Sequence, residues 1–179
     1  KLVLPGPDLS AAALVRQIQE EQITFSAGVP TIWLSVVQHL KETGLDIPSL
    51  RRIAVGGSAA PRSLMDTLED DYGVFVSHVW GMTEMTQGSA GRFTHRVTGL
   101  DREEQRRRQA MAGRELYGVE LRLVDEDGED VTRDGSSPGE LLARGPWVAG
   151  AYFELDDDTT HVADGDGVWL RTGDVATMD

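Results

Sequence analysis

Apolar positions in the first half of the chain recur at helical spacing three times, and each helical run is followed by a short, continuously apolar stretch. Leu14 and Ile18, one turn apart, predict the buried face of a helix that is capped by Asp8 or Ser10 and runs to about Gln22. Ile23-Thr24-Phe25 then reads as a strand. After Gly28-Val29-Pro30, the residues Trp33, Leu34, Val37 and Leu40 fall on one side of a second helix that stops near Gly44. Arg52-Ile53-Ala54-Val55 predicts a buried strand ending at Gly56-Gly57. Pro61 suits the first turn of a third helix, which aligns Leu64, Met65 and Leu68. Val74-Phe75-Val76 is a further strand, ending near His78. Continuous apolar strands alternating with helices predict an α/β fold over residues 1–98, a parallel sheet with covering helices. Ligands gather at the carboxyl ends of such strands, which directs attention to the loops that start at Gly56 and His78.

The pattern then changes. Residues 99–112 contain a charged helical stretch, Asp101 to Gln109, in which Glu103/Arg107 and Glu104/Arg108 are spaced for ion pairs one turn apart; it reads as a connector with a solvated face, including Arg106-Arg107-Arg108. Over residues 113–179, Val119 to Leu123 alternates with period two, Asp127-Gly128 marks a hairpin turn, and Glu140–Arg144 and Trp169–Arg171 are further strands between loops rich in Gly, Pro and Asp. This half predicts a small, mostly antiparallel β subdomain. No internal repeat is present.

Charge and composition narrow the chemistry. Across 179 residues the net charge is -13, which argues against nucleic acid or an anionic membrane face as a partner, because both require dense Lys and Arg. A small phosphate ligand remains compatible, since Mg2+ and backbone amides supply local positive potential. With no cysteine, disulfides, thiolate metal sites and a Cys nucleophile are excluded. A cytoplasmic location is expected. No apolar run approaches the roughly 20 residues that span a bilayer. The first residue is not Met and the sequence opens on a strand-like Lys1-Leu2-Val3-Leu4, so an internal piece of a longer protein is expected.

Three short features carry candidate chemistry. His78-Val79-Trp80-Gly81-Met82-Thr83-Glu84 follows a strand and offers an aromatic face, a glycine that admits close backbone approach, a hydroxyl and a carboxylate suited to Mg2+. Alone it is equally compatible with a strand-end loop whose Trp packs in the core. Gly56-Gly57-Ser58-Ala59-Ala60-Pro61 leaves room for a flat ring or a phosphate against backbone, although most such loops only turn the chain. Arg171-Thr172-Gly173-Asp174 presents a carboxylate able to accept two hydrogen bonds from neighbouring hydroxyls, as in a ribose. Other constellations are bland: His39, His78, His95 and His161 lack metal-ligand spacing, and Asp125 to Asp130 reads as a solvated hairpin rather than a calcium loop, with Asp130 where that loop needs Gly.

Taken together and in this order, the motifs resemble the adenylate-forming enzymes, the family of acyl-CoA synthetases, firefly-type luciferases and peptide-synthetase adenylation domains. His78 to Glu84 is similar to their aromatic-Gly-x-Thr-Glu motif, with Trp in place of the more usual Tyr. Gly139-Glu140-Leu141 through Gly145, followed by Gly150-Ala151-Tyr152, resembles their Gly-Glu-Leu motif, and Arg171 to Asp174 their Arg-Thr-Gly-Asp motif. Ala27 to Trp33, Gly56 to Arg62 and Lys1 to Pro7 look most like the medium- and long-chain fatty acyl-CoA synthetases.

The resemblance implies a segment of the large amino-terminal domain of a ligase that uses ATP, Mg2+, a fatty acid and CoA. By the same resemblance Trp80 would stack on adenine, with Gly57, His78, Val79, Gly81 and Met82 lining the adenylate pocket. Thr83 would bond the α-phosphate, Glu84 would hold Mg2+, Asp174 would bind the ribose hydroxyls, and Val29, Pro30, Thr31 and Gly56 would border the acyl chain. The family's phosphate loop, and its carboxyl-terminal domain with the catalytic Lys, lie outside this sequence, so the chain alone is expected to be inactive. A homodimeric parent is compatible. The competing readings are an aryl- or other carboxylic-acid CoA ligase and a non-catalytic nucleotide-binding module on the same scaffold.

Overall fold

Ser10 begins the first helix: its backbone is extended, and its hydroxyl accepts from the Ala13 N–H at 3.3 Å, satisfying one of the donors a helix start leaves open. The computed structural model describes residues 1–91, 95–154, 159–165 and 167–179, apart from the side chains of His95 and Arg96. These residues form an α/β unit, Lys1–Gly81 with Ser89–Arg114, and a β unit, Met82–Gly88 with Glu115–Asp179.

In the α/β unit the order is α1 (Ala11–Glu20), β1 (Phe25–Gly28), α2 (Pro30–Thr43), β2 (Arg52–Val55), α3 (Arg62–Tyr72), β3 (Phe75–Trp80), β4 (Ser89–Ala90), α4 (His95–Thr98) and α5 (Arg102–Gln109), with β5 (Arg114–Glu115) at its end. The strands lie in the order β1-β2-β3-β4-β5. β1, β2 and β3 are parallel, as the α/β pattern predicts, while β4 runs antiparallel to β3. Gly44 and Gly73 end α2 and α3 in the left-handed conformation, the usual stop for a helix.

The core is one cluster in which Val15 and Ile18 of α1, Trp33, Val36, Val37 and Leu40 of α2, and Leu64, Met65 and Leu68 of α3 pack on Ile53, Val55, Val74 and Val76. Burying each large side chain of this kind contributes about 1.5–3 kcal/mol.

Several sequence expectations shift. Leu34 is 43% exposed and Val36, fully buried, takes its place, because Trp33, Val36, Val37 and Leu40 form the true one-sided set. The strand expected at Ile23 to Phe25 begins only at Phe25. Gln22 adopts a φ of 51° and the Ile23 N–H returns to the Ile18 carbonyl at 3.1 Å, so the chain is still closing the helix there. β3 extends past His78 to Trp80, making the first three residues of the heptapeptide part of the strand rather than a loop after it.

The charged helix α5 packs on α3. Of the two expected ion pairs, Glu104 with Arg108 forms at 2.7 Å, and Glu104 also binds Arg107. Glu103 instead reaches across to Arg62 at 2.5 Å. Arg106, expected on a solvated face, is 5% exposed and lies among Asp66, Glu69 and Asp70 of α3. Tertiary partners, invisible to helical spacing, draw it inward.

The β unit carries β6 (Glu120–Val124), β7 (Gly139–Arg144), β8 (His161–Asp164) and β9 (Gly167–Ala176), ordered β6-β7-β9-β8 and antiparallel throughout. Val124, Leu142 and Trp169 form its buried centre, and the Arg144 guanidinium sits 4.4 Å from the Trp169 ring centroid. The predicted hairpin follows β6: the Asp125 N–H donates to Glu129 O at 3.0 Å, and Val124 bridges Asp130. Edge strand β8 was not anticipated, since its mostly exposed residues show no apolar alternation.

Replacing Leu68, which is fully buried in the α/β core, tests this packing directly. Leu68→Ala is expected to lower unfolding free energy by about 2–5 kcal/mol, read from chemical denaturation with the slope unchanged.

Candidate functional site

Parallel pairing sets three strand ends side by side. Gly28 is opposite Val55, and Val55 is opposite His78, so the next residues of each strand, Val29, Gly56 and Val79, emerge along one carboxyl edge of the sheet. Contact there is tight. A Cβ built on Gly56 would lie 2.8 Å from Cγ2 of Val79 and 3.0 Å from its carbonyl oxygen, so only glycine lets β3 lie this close to the β2 loop. Gly57 has a φ of +82°, and its imagined Cβ would meet Val29 at 3.1 Å. Val29, Gly56, Gly57 and Val79 are thereby gathered in one place. Pro30 differs: it is buried as the first residue of α2, where its fixed φ suits the helix start, and Thr31 is exposed on the first turn.

His78 is 9% exposed, and its Nδ1 lies 2.9 Å from the Ala110 carbonyl oxygen. A carbonyl only accepts, so His78 Nδ1 carries a proton and donates it in this hydrogen bond. Two residues on, Trp80 is half-buried and pairs with Ser89, whose hydroxyl donates to Ala112 O at 2.8 Å.

The heptapeptide is divided between the units after Gly81, and Met82, Thr83 and Glu84 belong to the β unit. Met82 O accepts from the Met85 N–H at 3.1 Å, a tight turn that leaves Thr83 exposed and anchors on fully buried Met85. The Tyr152 hydroxyl donates to Glu84 Oε1 at 2.5 Å. This bond, followed by one from the backbone N–H of Glu84, holds the Glu84 carboxyl below the usual carboxylate range.

The same loop is tied down by its backbone, since the Ala149 N–H donates to Glu84 O at 2.7 Å. His161 Nε2 in turn donates to Ala149 O at 2.9 Å, and the Tyr152 and His161 rings meet edge to face. Neither Tyr152 nor His161 carries a role that the sequence alone reveals. Tyr152 lay within the Gly-Glu-Leu motif, which was the available signal, whereas His161 had none.

Asp174 lies on a β-bulge of β9. Glu140 pairs with Val175 and Leu142 with Arg171, so Thr172, Gly173 and Asp174 together oppose Leu141 alone. Thr172 donates to Leu141 O at 2.7 Å and accepts from the Asp174 N–H at 3.2 Å, and Arg171 grips Glu140 through two nitrogens. The Arg171–Asp174 motif is thus a bulge clamped on both sides, with an exposed carboxylate.

A family model described as AMP-binding enzyme matches residues 1–153. The chain belongs to the AMP-binding enzyme family. The relatives that resemble this AMP-binding chain include the 3-methylmercaptopropionyl-CoA ligase of Ruegeria lacuscaerulensis, 43% identical over all of this chain and 33% of its own length. The medium-chain-fatty-acid–CoA ligase of Ectopseudomonas oleovorans is 42% identical over all of this chain and 32% of its own. The chain therefore spans about a third of the length of the curated relatives it matches.

Among solved structures, a long-chain-fatty-acid-CoA ligase from Archaeoglobus fulgidus shares the fold with a TM-score of 0.78 at 22% identity, over 94% of this chain and 34% of its own. The O-succinylbenzoate coenzyme A synthetase of Bacillus subtilis, in complex with ATP and magnesium ion, superposes with a TM-score of 0.72 at 26% identity, over 95% of this chain and 32% of its own.

Glu84 titration checks the arrangement at the phenol. Removing that donor in Tyr152→Phe is expected to raise the Glu84 carboxyl pKa toward its ordinary value, followed by the carboxyl 13C shift across an acid titration. An unchanged midpoint would contradict the bond.

Proposed function

We propose that this AMP-binding segment carries part of the carboxylate-activating site of an acyl-CoA synthetase that joins a fatty acid to AMP and then passes the acyl group to CoA. The observation that carries this reading is the carboxyl edge where Val29, Gly56–Gly57 and Val79–Trp80 are delivered together, since strand ends of this kind bind nucleotides and flat rings. Trp80 would stack on adenine, and Gly57, His78, Val79, Gly81 and Met82 would line the adenylate pocket. Val29, Pro30, Thr31 and Gly56 would border the acyl chain, with Pro30 acting through the backbone it fixes.

In the reaction, a carboxylate oxygen of the acid attacks the α-phosphorus of ATP, and the bond from that phosphorus to the bridging oxygen breaks, releasing pyrophosphate. Attack by the CoA thiol on the mixed anhydride then expels AMP. Little covalent chemistry falls to the protein, so positioning and charge neutralisation supply most of the rate. Thr83, exposed at its turn, would donate to the α-phosphate, and the Asp174 carboxylate would accept from the ribose hydroxyls.

Glu84 fits a hard cation, because it is an oxygen donor kept ionised by Tyr152. Among the described residues no group of three or more His, Asp or Glu side chains is disposed to hold a metal, so the remaining ligands would be phosphate oxygens and water, as Mg2+ prefers. Mg2+ bound there would neutralise charge developing on the phosphates.

An aliphatic acid is favoured over an aryl one. The relatives named for 3-methylmercaptopropionyl, medium-chain and long-chain acids are 43%, 42% and 41% identical, against 32% for a feruloyl-CoA synthase from Amycolatopsis. Among the described residues no helix is long and apolar enough to cross a membrane.

Exchange of pyrophosphate into ATP by the full-length protein carrying this segment tests the proposal. Medium- or long-chain fatty acids are expected to support exchange, and Glu84→Ala and Asp174→Ala are each expected to lower it by about 10²-fold or more. Exchange with benzoates alone would favour the aryl ligase, and no exchange with any acid would favour the non-catalytic module.

A further inference from the structure

Arg106 is the most buried charged residue among those described, and the adenylate chemistry proposed above gives it no role. Its guanidinium meets three carboxylates of α3: Nε lies 3.2 Å from Asp66, Nη1 2.5 Å from Glu69, and Nη2 3.1 Å from Asp70. Those acids occupy positions i, i+3 and i+4, one face of the helix. A planar fork matched to three fixed acceptors is satisfied in one orientation, whereas a sliding contact would strand buried donors. Arg106 is therefore the buried contact that fixes where α5 lies on α3, while the Arg62–Glu103 and Arg102–Asp70 pairs beside it are exposed to solvent.

What α5 does with that placement is visible at its last turn. Gln109 Nε2 donates to Val76 O at 2.6 Å and also to Glu69, whose carboxylate accepts the Val76 N–H at 3.2 Å. One residue on, Ala110 O accepts a hydrogen bond from His78 Nδ1–H, and two beyond that Ala112 O accepts one from the Ser89 hydroxyl beside Trp80. The end of α5 thus runs along β3 and touches it at Val76, at His78 and, through Ser89, next to Trp80.

We propose that Arg106 is a positioning residue for the nucleotide side of the site: by locking α5 to the acidic face of α3 it holds Ala110 O against His78 and so sets that ring's plane and tautomer. The proposal rests on the reading of His78 and Trp80 as adenylate-pocket residues. Without the lock, Ala110 O withdraws, the ring is free to rotate, and Nε2 no longer holds a fixed direction.

The test uses the full-length protein with 15N-labelled histidine, and reads both the His78 tautomer from ring nitrogen shifts and the KM for ATP in pyrophosphate exchange. In the unaltered protein His78 is expected to be protonated at Nδ1. Arg106→Met is expected to give mixed tautomers and to raise KM for ATP about tenfold, the worth of one hydrogen bond, with kcat changed far less. Arg106→Lys, which keeps the charge without the fork, is expected to fall between, and Arg107→Ala, on the exposed face, to match the unaltered protein.

Where Arg106→Met does not fold, Asp66→Asn and Asp70→Asn each remove one outer carboxylate and are expected to shift both readouts in the same direction by less. A folded Arg106 variant with His78 still protonated at Nδ1 and KM unchanged overturns the proposal. A shifted tautomer without any change in KM overturns its nucleotide half. An unaltered protein that shows no exchange refutes the synthetase reading, while the nitrogen shifts still report on the coupling of Arg106 to His78.

Discussion

Val79 packs so closely on Gly56 that a single methyl group would lie 2.8 Å from its Cγ2. That contact depends on the parallel register of β1, β2 and β3, and much else depends on the contact. It brings the β2 loop and the end of β3 to one edge, lets Gly57 turn through a left-handed backbone against Val29, and sends Val79 and Trp80 out beside them. A parallel sheet leaves its carboxyl ends open to ligand because the crossover helices cover its faces. Here the covering helices α2 and α3 begin just after β1 and β2, with prolines at their starts.

The β unit solves a different problem, how to hold acidic side chains in defined positions on an already acidic protein. Glu84 is fixed twice, through its carboxylate by Tyr152 and through its backbone by Ala149, which His161 braces from β8. Asp174 is held by a bulge, with Arg171 consumed by Glu140 and Thr172 tied to Leu141. Bulges of this kind re-aim a side chain at modest cost to the sheet, and they recur next to functional sites. Neither carboxylate relies on burial.

Much of this was legible in the sequence, for reasons of periodicity. Leu64, Met65 and Leu68 mark α3 because helical spacing determines which side chains face the core, and Ile53 and Val55 mark β2 because a strand covered on both faces needs apolar residues throughout. The three motifs pointed to one family, and the family match bears that out.

What escaped was set by partners distant in sequence. Arg106 sits in a run of arginines indistinguishable from a solvated face, and only the acids of α3 pull it inward. Ser77 and His78 interrupt the apolar run of β3, so its true end at Trp80 was hidden. β8 offers almost no buried face to read.

Hydrogen–deuterium exchange on the full-length protein, with and without a non-hydrolysable acyl-adenylate analogue, reads out the carboxyl edge of the parallel sheet, because a ligand seated there slows the ends of β1, β2 and β3 together. Concerted protection is expected at residues 28–31, 56–60 and 78–81. Protection that spares the three strand ends while appearing elsewhere would contradict it.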